Sequence, residues 1–135
     1  MMASIRAMRQ AIADNLSTVD GLRTAAIIPE DPKPPVAVVI FDRIEYDSSF
    51  GRALDMYLFK VVLVLGRVNT RGTEEALDGY LSGSGSTSLK AAIESDRSLG
   101  GEIQDLRVTS GENVRELVVA DITYVAADFL ITVYA

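Results

Sequence analysis

Four groups of residues in this chain have types and spacings that invite chemistry. The first is Gly83-Ser-Gly-Ser-Thr-Ser-Leu-Lys90, a glycine-rich stretch at a helix start with a lysine close behind. Bare backbone N–H groups at such a start can hold a phosphate. The stretch lacks the Gly-Lys-Ser/Thr ending of a phosphate-binding loop, and its lysine falls inside the next helix, so a helix-to-helix turn is the preferred reading. The second, Thr87-Ser-Leu-Lys90, has the S-x-x-K spacing with threonine for serine, but no S-D-N or K-T-G element accompanies it, and the reading is discarded. Asp42, Glu45 and Asp47 form the third group, carboxylates of the kind that bind a hard cation. On a strand Asp42 points away from the other two, so the three converge only at a bulge, and a solvated acidic face is preferred. The fourth is Asp128, opposite the core face of the last strand, where a catalytic acid is possible but exposure, or pairing with an arginine across a subunit contact, fits better.

The chain has no histidine and no cysteine, which removes the commonest general base and the thiolate metal sites. At 135 residues and 48% hydrophobic content it is long enough for one domain with an ample core. The net charge of -6 repels nucleic-acid phosphates on average, and the arginines are scattered without interleaved aromatics. No apolar run reaches the length of a bilayer span, and the N-terminal residues lack the apolar stretch of a signal peptide, so no membrane partner is expected. Nor is any cofactor, and the enzyme reading has no positive support.

The elements that must position these groups follow from periodicity. Ile5, Met8, Ile12 and Leu16 recur at helical spacing, predicting a helix over Ala3 to Leu16. A short strand over Leu22 to Ile28 precedes Pro29-Glu-Asp-Pro-Lys-Pro-Pro35, an extended loop. Val36 to Tyr46 and Leu54 to Leu65 read as a long β-hairpin with its outer part standing partly clear of the core. In the second of these strands Met56, Leu58, Val62 and Val64 share one face and Tyr57, Phe59, Val61, Leu63 and Leu65 the other. Both faces ask for burial, and the few helices cannot cover both, which points to further copies of the chain.

Thr73, Glu74 and Glu75 open a second helix, Ser82-Gly-Ser-Gly-Ser86 breaks it, and Thr87 or Ser88 caps a third. Two strands, Ile103 to Thr109 and Val114 to Val119, then precede a closing strand over Ile122 to Tyr134. Its Val125, Ala127, Phe129, Ile131 and Val133 line one face. The expected fold is α+β: a mixed, mainly antiparallel sheet with a long β-hairpin and about three helices packed on one face, in a single domain over residues 1–135.

The order of these pieces resembles the tail terminator proteins of long-tailed, non-contractile bacteriophages, especially those of actinobacterial hosts. The resemblance covers nearly the whole chain. It rests on the first helix ending in Asp20-Gly-Leu22, the proline-rich loop, Ile44-Glu-Tyr-Asp47 with Phe50-Gly-Arg52, and the long strand into Leu65-Gly-Arg67. Leu77-Asp-Gly-Tyr-Leu-Ser82, Ser88-Leu-Lys-Ala-Ala-Ile-Glu94, Leu99-Gly-Gly101 and the ending Thr132-Val-Tyr-Ala135 complete it.

The resemblance implies a structural subunit that assembles as a homo-hexameric ring on the head-proximal end of the tail tube. Such a ring stops tube growth and offers a surface to the head-tail connector, with DNA only as passing cargo and the virion, or the host cytoplasm during assembly, as location. It carries over no active-site residue. Candidate interface positions are Asp47, Phe50 and Arg52 at the hairpin tip, Leu63 on the long strand and Asp128 on the last. Two other classes share the sheet-rich, acidic character. One is a different neck or tail-tube ring protein, which gene order relative to the tube gene separates from a terminator. The other is a small oligomeric ligand-binding module using Tyr46, Tyr57 and Tyr124, which a copurifying ligand would reveal.

Overall fold

A computed structural model of the chain describes residues 4–19, 22–25, 35–46, 55–67, 73–85, 87–98, 103–119 and 121–135. The first helix, α1 (Ile5–Leu16), starts where the Ser4 side chain accepts the Ala7 N–H at 3.0 Å, and it buries Met8, Ile12, Ala13 and Leu16 along one stripe. Past its end, the Ser17 and Thr18 hydroxyls donate to the carbonyls of Asp14 and Asn15, turning the chain away. Then come the strands β1 (Arg23–Ala25), β2 (Val36–Glu45) and β3 (Met56–Arg67), followed by helices α2 (Thr73–Leu81) and α3 (Leu89–Ile93). A 3-10 turn over Glu94–Asp96 leads into β4 (Asp105–Val119) and β5 (Ile122–Tyr134).

The five strands form one sheet in the order β1-β2-β3-β5-β4, antiparallel throughout except for β1 beside β2. The α+β expectation therefore holds, with the helices gathered on one side. There α1 lies against β2, α2 against β3, and α3 against α1. Helix residues Met8, Ile12, Leu16, Leu89 and Ile93 meet Phe59, Val61, Leu63, Phe129 and Ile131 of the strands in one buried cluster. Each such side chain, fully withdrawn from water, contributes about 1.5–3 kcal/mol. Phe41 and Phe59 meet edge to face with ring centroids 5.4 Å apart. The opposite face has a smaller cluster of Val36, Val38, Val64 and Tyr124, made of strand residues alone.

One sequence expectation needs correction. Residues 103–119 do not hold two strands: β4 is a single strand from Asp105 to Val119. Its register shifts against β5 between Val108 and Ser110 and again between Glu112 and Arg115, and Asn113 adopts φ 56°. Bulges absorb extra residues without ending the pairing, which makes Ser110-Gly-Glu-Asn113 look like a turn in sequence. The longest hairpin is consequently β4–β5. The first strand, expected over Leu22 to Ile28, is described as β1 over Arg23–Ala25, and residues 26–28 lie outside the described ones.

Candidate interface

The two faces of β3 differ. Tyr57, Phe59, Val61, Leu63 and Leu65 are buried beneath the helices. Leu63, an interface candidate from sequence, is fully buried within its own chain, so it serves the core. On the other face Leu58, Lys60 and Val62 are only partly buried, as are Ile40 and Leu130 on the neighbouring strands. Lys60 pairs directly with Ile40 on one side and Leu130 on the other. Side-chain alternation places Leu58 and Val62 before and after it on the same face. The lysine thus stands in the middle of four apolar side chains, and among the described residues it makes no ion pair. Sequence reading missed this position because Lys60 looked like a mere interruption of an apolar run.

Asp128 needs the largest correction. It is 4% exposed, and its partner is an arginine of the same chain rather than of a neighbouring subunit. Arg115 Nη1 donates to Asp128 Oδ1 at 2.9 Å, and Asn113 Nδ2 donates to Oδ2 at 3.0 Å. Arg115 also donates to the Asn113 carbonyl at 3.0 Å. The second bulge of β4 makes this possible: it consumes Asn113 and Val114 and brings Arg115 beside Ala126, two residues from Asp128 on the same face. The arrangement is a closed polar network over a bulge, with no carboxylate oxygen left bare for acid chemistry.

Asp42 and Glu45 belong to no metal-ligand group among the described residues. A bulge does occur at Asp42, where the β2–β3 register shifts between Phe41 and Arg43. Glu45 is nonetheless engaged by Arg43 at 3.1 Å, and no group of three potential metal ligands gathers among the described residues. Asp47, Phe50 and Arg52, the hairpin-tip candidates, lie outside the described residues.

The glycine-rich stretch is a helix-to-helix turn. Ser88 Oγ accepts the Ala91 N–H at 3.1 Å and donates to the Ser82 carbonyl, while Lys90 pairs with Glu94 one turn further on. Of the three tyrosines weighed for a pocket, Tyr46 is 72% exposed, Tyr57 is buried under the helices and Tyr124 belongs to the cluster on the opposite face. Tyr57 and Tyr124 thus lie on opposite faces of the sheet.

Glu94 fastens the 3-10 turn to β4. Its carboxylate takes the Lys90 ammonium with one oxygen and the Val108 N–H, at 2.9 Å, with the other. Burial pushes its pKa up, but the hydrogen bonds from Lys90 and Val108 and the charges of Lys90 and Arg97 outweigh this and hold it below the ordinary value. Beside it Arg97 clasps Asp105 through two N–H bonds of 2.8 and 2.9 Å.

No helix among the described residues is long and apolar enough to cross a membrane. No family model and no curated protein matches this chain.

Proposed function

We propose that this chain is a structural, non-catalytic ring subunit of the tail terminator type. In this reading a homo-hexameric ring caps the head-proximal end of a non-contractile phage tail tube, halts tube polymerisation and supplies the surface that joins the head-tail connector. DNA crosses its channel without being held. The observation that carries the reading is the one-sided sheet. The helices cover one face, while Ile40, Leu58, Val62 and Leu130 leave the other partly bare. Apolar surface of this kind is stabilised when a further protein surface removes it from water. The order of elements is the second support. A helix, a proline-rich segment, two strands, two helices and a closing strand follow one another in the order on which the resemblance rests.

Negative-stain microscopy of the purified protein, alone and mixed with tail tubes, tests the proposal. Rings of uniform diameter that seat on one end of the tubes are the expected result. Particles that remain single subunits and leave both tube ends bare refute it.

A further inference from the structure

The lysine at the centre of the partly bare patch on this second face has chemistry of its own. An ammonium ringed by apolar side chains stays hydrated by reaching past them into water, and it binds any carboxylate that arrives with a surface covering the ring. Its direct neighbours on the sheet are Ile40, Leu58, Val62 and Leu130, and the carboxylate diagonal to it, Asp128 opposite Val62, is already held by Arg115 and Asn113.

The chain carries a matching surface on its opposite side. Among the three helices α2 is the one with no basic residue. Glu75 and Asp78 lie three positions apart on its outer face, both exposed, and neither makes an ion pair among the described residues. Leu77, Tyr80 and Leu81 turn the other side of α2 to the core. A chain of net charge -6 repels its copies unless cation meets acid at the contact. Here the cation and the acids lie on opposite sides of the sheet. A head-to-tail contact between unlike surfaces is the geometry that builds a ring, since each copy uses one surface and leaves the other for the next.

We infer that the Lys60-centred face of one subunit docks on the α2 face of the next copy, with Lys60 taking Glu75 or Asp78 of that copy as its counter-ion. This rests on the ring-subunit reading and specifies which surfaces make the ring.

The test is charge exchange followed by mass measurement in solution, by light scattering or native mass spectrometry, with circular dichroism and melting temperature as controls for folding. Lys60→Glu alone, and Glu75→Lys with Asp78→Lys, are each expected to stay folded and to raise the dissociation constant at least about 10-fold, as like charges then meet. The triple variant carrying all three changes is expected to recover the wild-type mass. Lys60→Ala serves as the milder probe, giving a smaller shift in the same direction. Folded single-site variants with wild-type mass, or a folded triple variant that fails to reassociate, overturn the docking assignment. In either case wild-type rings on tubes still stand as a separate result. A wild-type chain that stays monomeric refutes both the docking and the self-association beneath it.

Discussion

Removing Arg115 should cost more than removing the acid it serves. Asp128 is the buried member of the pair, with its side chain 6% exposed against 29% for Arg115. Breaking a buried ion pair by deleting one partner costs about 3–5 kcal/mol, because the survivor is left charged and dry. Arg115→Met keeps the aliphatic packing and strands the carboxylate, but Asn113 still donates to it at 3.0 Å and water reaches the arginine's place. A cost of about 2–3 kcal/mol follows for Arg115→Met. Asp128→Ala instead leaves an arginine that already touches solvent and keeps its bond to the Asn113 carbonyl, for about 1 kcal/mol. Urea unfolding monitored by circular dichroism reads the difference. With a slope of about 1–3 kcal/mol per molar urea, Arg115→Met moves the midpoint down by about 0.7–3 M. The double variant should be more stable than Arg115→Met alone, since no stranded carboxylate remains. A midpoint for Asp128→Ala at or below that of Arg115→Met would refute the assignment of the buried charge.

The two faces of β3 give a second contrast. Leu63→Asp places a charge in the helix-covered core and should abolish folding, whereas Leu58→Asp, on the partly bare face between Arg43 and Thr132, should fold and lose only self-association. Circular dichroism and solution mass distinguish them, and equal behaviour would count against the sidedness of the sheet. Glu94 predicts a pH effect. Because its folded pKa lies below the ordinary 4.5, its contribution is complete above that pH and is lost as pH falls through the lower, folded value. Glu94→Gln should therefore flatten the acid side of a stability-against-pH curve, and an unchanged acid slope would exclude this role. Gly111 sits where a Cβ would meet Leu81 Cδ2 at 2.8 Å and the Phe129 ring at 3.2 Å. Leu81 can yield but the buried ring cannot, so Gly111→Val should lower stability by about 1–3 kcal/mol in a thermal melt, and a neutral result would show the β4 backbone free to shift.

Local signals made most elements legible in the sequence. The Met8, Ile12 and Leu16 stripe, the cap at Ser88 and the alternation through β5 each depend on residues within a turn or two of one another. Assigning β3 its two faces was equally local. Which face the helices would cover was not, because that depends on how the chain crosses the sheet between β3 and β5. The bulges were hidden for a related reason. Asp42 is an unremarkable strand acid until its partner strand shows that the register slips there. The Asp128 network is the clearest case. Its partners, 13 and 15 positions back, are identified only once the β4 register has passed through a bulge.

The strand order has a kinetic consequence. The pairings of β2 with β3 and of β4 with β5 join strands that are neighbours in sequence, so each hairpin closes a short loop. The centre of the sheet is different, since β3 meets β5 with Met56 opposite Tyr134. The ends of that pairing are far apart along the chain, with both helices and all of β4 between them, and closing such a loop costs entropy before any contact repays it. The topology predicts that the two hairpins dock along this seam and that closing it is the slow step. Substitutions along the β3–β5 seam, such as at Val61 opposite Phe129, will slow folding if that pairing is formed in the transition state. Until the seam closes, the apolar inner edges of both hairpins face water together, and this is when the chain is most exposed to pairing with the wrong partner.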